Sequence, residues 1–117
     1  MAFDEALAAR VRDVLVELGP FEERKMFGGL AFMVGGRMCC GVLAADLIVK
    51  VGKERGAALL ASNPHVRPFD FTGRPMTGIV YVSPQGTAGE AALRDWVTEG
   101  ADFAAAELAK PARRPRR

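Results

Sequence analysis

Residues 26–51 read MFGGLAFMVGGRMCCGVLAADLIVKV, and the fold is decided there. Residues 30–34 are a short apolar run, Gly35 and Gly36 can both take positive φ, and residues 37–43 return, which is the pattern of a β-hairpin with a two-residue turn. Ala44, Ala45 and Asp46 then turn the chain into a further strand over 47–51, giving an antiparallel meander. Gly28 and Gly29 stand before the first of these strands, where they read as a bend or bulge.

Helices flank this meander. Over residues 4–18, Asp4 is placed to cap a helix whose apolar positions Leu7, Val11, Val14, Leu15 and Leu18 recur at helical spacing, and Gly19-Pro20 ends it. A short extended segment over 23–27 leads into the glycine pair. Downstream, residues 53–63 (KERGAALLASN) fit a helix of two to three turns with Leu59 and Leu60 inward; Gly56 weakens it by about 1 kcal/mol relative to alanine. Residues 65–77 are rich in Pro, Gly and Arg and read as irregular chain or an edge strand, followed by a short strand over 79–82. Thr87 and Glu90 have the spacing of a capping box, and Leu93, Trp96, Val97, Phe103, Ala104 and Leu108 continue an apolar stripe from it, with Gly100 at the closest approach.

The order α-β-β-β-α-β-β-α predicts a two-layer α+β domain, an antiparallel sheet with helices mainly on one face. Its extent is residues 1–109, and Pro111 and Pro115 mark 110–117 as a basic tail without fixed structure. A chain of 117 residues suits one compact unit. No apolar run reaches the roughly 18 residues that span a bilayer, so no membrane partner and a cytoplasmic address are expected. The adjacent Cys39 and Cys40 lie on one strand, where successive side chains point to opposite faces; no disulfide is expected, and one thiol should pack inward with the other on the far face. The formal charge of +2 hides an asymmetry. Lys110, Arg113, Arg114, Arg116 and Arg117 are five of the 16 basic residues; the 11 that remain face 14 acids, so the folded body carries −3.

Several of these residues also carry a family resemblance. Met26, Phe27, Gly28, Gly29, Phe32, Gly36, Met38, Val42, Leu47, Lys50 and Val51, followed by Pro68-Phe69, Gly73-Arg74-Pro75-Met76, the Tyr81 strand and a last helix with Trp96, resemble the N-terminal domain of the TfoX/Sxy family. That resemblance covers roughly residues 4–108. It implies the same element order and a non-enzymatic, regulatory or adaptor role, since characterised members act in natural competence and related gene control. The full-length regulators carry a second, helical domain after this one, whereas this sequence runs to Arg117.

The candidate sites each have a plainer reading beside the functional one. Gly28-Gly29 and Gly35-Gly36 could cradle a phosphate, but no G-K-[ST] follows, so they are assigned to structural turns. His65, the single histidine, has no nucleophile or ligand set around it in sequence and reads as a loop residue. No catalytic residue, metal or cofactor is therefore expected. Met26, Phe27, Phe32, Met33 and Met38 form a soft apolar group that serves either core packing or a protein interface; Met26, Phe27, Met33 and Met38 are the candidate interface, with Met33 or Met38 on the sheet face away from the helices as a partner or self-association surface. Arg113, Arg114, Arg116 and Arg117 are the candidate nucleic-acid contacts, of a weak and sequence-independent kind.

Overall fold

A computed structural model describes residues 3–26, 28–70, 73 and 78–109, without the side chains of 108 and 109. Phe27, the 74–76 segment and the arginine tail lie outside the described residues. The chain opens with helix α1 (Glu5–Leu18), whose N-cap Asp4 accepts a hydrogen bond from the Leu7 amide at 3.1 Å. Four strands follow: β1 (Glu22–Met26), β2 (Gly29–Val34), β3 (Arg37–Leu43) and β4 (Asp46–Lys50). Helix α2 (Lys53–Ser62), strands β5 (Val66–Pro68) and β6 (Ile79–Val82), a single-turn helix α3 (Pro84–Thr87) and the long α4 (Glu90–Ala109) complete it.

All six strands pair antiparallel in the order β1-β2-β3-β4-β6-β5, so the α+β class and the alternation of helix, strands, helix, strands, helix hold. The extended segment before Gly28 is itself a paired strand, joined to β2 from Met26 opposite Gly29 back to Glu22 opposite Met33. Gly35 and Gly36 take φ of 61° and 83° between Val34 and Arg37, the conformation a two-residue hairpin turn needs to match strand twist. β5 is the edge strand that its Pro and Arg content predicted.

One face of the sheet meets α1 and α4. Leu30 and Phe32 of β2, Cys40 and Val42 of β3, Leu47 and Val49 of β4, and Val80 and Val82 of β6 alternate onto that side and share a core with Leu7, Val11, Leu15, Leu93 and Val97. The opposite face holds a smaller cluster of Ile48, Phe69 and Tyr81, with Met38, Leu43 and Ile79 half-buried against it.

Three local expectations are corrected. The β2–β3 register slips between Phe32 and Met33: Phe32 stands opposite Cys40 but Met33 opposite Met38, which leaves Cys39 as the extra residue of a bulge. Alternation fails there, so both thiols enter the helix-side core, and neither lies on the far face. Secondly, the Thr87–Glu90 capping box does not form. Ser83-Pro84 starts a helical turn earlier, Thr87 is buried in it with its hydroxyl donating to Pro84 O at 3.3 Å, and α4 begins only at Glu90. Thirdly, Leu59 of α2 is buried but Leu60 is exposed, because one helix face alone meets the sheet.

Candidate functional site

A close approach joins the bulge to α4 at Gly100. A Cβ placed on Gly100 would lie 2.5 Å from Cys39 O, so the helix rides directly on the bulged backbone. Cys39 Sγ sits 3.7 Å from Cys40 Sγ and 3.9 Å from Val97 O, and neither side chain reaches solvent. The Cys40 thiol is pushed well above its ordinary range, first by its contact with Cys39 and then by burial. Both side chains are fully buried, out of reach of a reagent or an ion, and they fill the core between the bulge and α4.

Ion pairs tie the outer elements to this core. Arg12 of α1 grips Glu23 of β1 with both Nε and an Nη, the latter at 3.0 Å. The fork lowers the Glu23 carboxyl below the usual carboxylate range. Arg55 of α2 forks Glu99 of α4 at 2.7 and 3.2 Å, and Lys50 reaches Glu107 at 3.1 Å. On the far face Arg67 lies over the Tyr81 ring, 4.9 Å from its centroid, and binds Asp46 at 2.9 Å; burial raises the Tyr81 hydroxyl.

Two shallow grooves flank α4. One, of about 190 Å³, is lined by Leu15, Leu18, Val34, Ala101 and Asp102; the other, about 230 Å³, by Arg55, Asn63, Asp95, Trp96 and Glu99. Among the described residues no three His, Cys, Asp or Glu side chains stand where they could hold a metal ion. No described helix is long and apolar enough to cross a membrane.

Three of the four residues singled out as an interface are described, and they differ in exposure. Met33 is buried at 8%, Met38 is half-buried against the Tyr81 cluster, and Met26 is exposed at 40% where β1 turns toward β2. The far face of the sheet is not bare, since Ala31, Met33, Ile48 and Tyr81 are all buried on it. What the sequence did not mark is β1 as an exposed edge: all five residues, EERKM, are exposed, and among the described residues the strand has a neighbour on one side only. Mixed charge at a predicted strand was the available signal.

Comparison with protein families matches residues 13–104 to the TfoX N-terminal domain. The chain belongs to that family. A TfoX N-terminal domain therefore runs from the middle of α1 through most of α4, and β1 to β6 lie inside it. Neither the curated proteins nor the solved structures compared with this TfoX N-terminal domain include a match.

Proposed function

We propose that this chain is a competence-regulator-like domain that acts through protein contacts, as a non-enzymatic adaptor or regulator in gene control. The observation that carries the reading is β1, an exposed strand whose outer edge is open among the described residues and which ends at the exposed Met26. Membership of a regulatory domain family points the same way. An exposed strand edge offers backbone donors and acceptors to a partner strand, and a flexible methionine beside it adapts to varied apolar surfaces.

Photo-cross-linking tests this. A photoreactive residue at Met26, installed in the native host, should give a discrete protein adduct, while the same group at Glu54 on α2 should not. No adduct at Met26, together with measured turnover of a small substrate, would sink the reading.

A second reading, a weak nucleic-acid-associated factor, is favoured by the basic residues gathered in the last eight positions against an acidic body. It expects salt-sensitive binding that disappears when the chain is cut after Ala109. Binding unaffected by that truncation removes the tail from consideration.

A further inference from the structure

The charges along β1 are Glu22, Glu23, Arg24 and Lys25, two acids followed by two bases. Their sides are fixed by the pairing with β2. Glu23 and Lys25 lie opposite Phe32 and Leu30, hence on the helix side; Glu22, Arg24 and Met26 lie opposite Met33, Ala31 and Gly29, hence on the far side.

We propose that two copies of this chain join edge to edge through β1, antiparallel about a two-fold axis at Glu23, so that one sheet runs through both. This rests on the reading of β1 as a contact surface and names its partner. A two-fold axis that pairs antiparallel strands stands perpendicular to the sheet and passes between one residue and its own copy. Each face of the sheet is then continuous across the junction, and only registers centred on a residue are allowed. Two keep the charged strand within the ladder, centred on Arg24 or on Glu23.

The Arg24 register brings two arginines face to face. Each has only a loose contact with Glu22 of its own chain, at 3.9 Å between side chains 61% and 68% exposed. It would also set Lys25 against a Glu23 that Arg12 already grips. The Glu23 register reverses both faults. Glu22 faces Arg24 of the second copy and Arg24 faces its Glu22, so the two loosely engaged charges of each strand find opposite partners on the far side. The like pair at the axis is Glu23 with Glu23, and each of these carboxylates is already neutralised by a two-pronged arginine of its own chain. Lys25 falls opposite Phe21, whose ring is only half-buried, and diagonal to the second Glu23. A charged edge resists indiscriminate strand addition; the order acid, acid, base, base admits its own copy. The contact is short, so the dimer is weak and sensitive to salt.

The experiment uses the full chain in sedimentation velocity over a dilution series at low and high salt. Either single reversal, Glu22→Arg or Arg24→Glu, sets two like-charge pairs across the axis and should weaken self-association at least about tenfold. An equimolar mixture of the two single variants restores both opposite pairs and should recover the wild-type constant to within about threefold. The proposal is overturned if the single variants associate like wild type, or if the mixture stays monomeric. A wild-type chain that stays monomeric at every concentration overturns self-pairing alone, because the wider protein-contact reading is decided by the Met26 adduct. Should a reversal prevent folding, amide exchange in the wild type decides. Protection of the outward-facing β1 amides must rise with concentration, and exchange that is independent of concentration refutes the pairing.

Discussion

Replacing Gly100 with alanine tests the packing that organises this domain. Both Gly100 and Gly56 are helical glycines, so alanine at either gains about 1 kcal/mol of helix propensity. The surroundings differ. At Gly56 the new methyl would stand 3.5 Å from Gly78 Cα, an ordinary contact, and Gly56→Ala should stabilise by up to about 1 kcal/mol. At Gly100 it would stand 2.5 Å from Cys39 O, so α4 or the bulge must retreat by about 0.9 Å to reach the 3.4 Å of ordinary contact. The obstacle is the backbone of the bulge residue, fixed between Met38 and Cys40, which are both paired in the sheet, with no flexible side chain to swing away. Overpacking costs about 1–3 kcal/mol, and with backbone as the obstacle the upper part, about 2–3 kcal/mol, applies; less the propensity gain of about 1 kcal/mol, the net loss should be about 1–2 kcal/mol, at a few degrees of Tm per kcal/mol. Urea unfolding read by far-UV circular dichroism and by Trp96, the single tryptophan and a buried one, measures both variants. Wild-type stability in Gly100→Ala, or an equal shift in the two variants, would refute the close approach of α4 to the bulge.

Trp96 Nε1 donates to Gly86 O at 3.1 Å, so Trp96→Phe removes that bond and a part of the packing and should cost about 1–2 kcal/mol in the same urea titration; an unchanged midpoint would contradict it. Cys39 and Cys40 should resist a thiol reagent at pH 8 until the chain unfolds, and stoichiometric labelling faster than unfolding would show that the bulge does not bury them. Glu23 has its folded pKa lowered by Arg12, so its contribution is present above the unfolded value of about 4.3 and lost as pH falls through the folded value. The pair is partly exposed, and screening holds the effect to about 0.5 kcal/mol. Glu23→Gln should therefore be less stable than wild type at neutral pH and converge with it in acid; a constant difference down to pH 2 would refute the linkage.

Local chemistry made some of these elements legible and tertiary context hid others. The β2–β3 hairpin was readable because a two-residue turn demands positive φ at both positions, and Gly35-Gly36 supplies it. The bulge at Cys39 left no such mark: the run around it is apolar on both sides of the alternation, so a slip of one residue changes no polar residue into a buried one. Thr87 carried a strong local start signal, yet Pro84 at the first turn of α3 and the burial of Thr87 itself took precedence. Met33 illustrates the same limit, since alternation placed it away from the helices but gave no account of what buries that face. β1 was visible as an extended segment, whereas its exposure depends on α1 and α4 packing over the strands beside it, which is a property of the assembled fold.

The most direct test of the account is a concentration series followed by backbone amide NMR on the full chain. Shifts should move together with concentration at Glu22 through Met26 and at Phe21, at low salt and not at high salt, while α2 and β5 stay fixed. Spectra that do not change with concentration, or changes gathered instead along the α1–α4 groove at Leu18 and Ala101, would contradict a domain that meets its partner through β1.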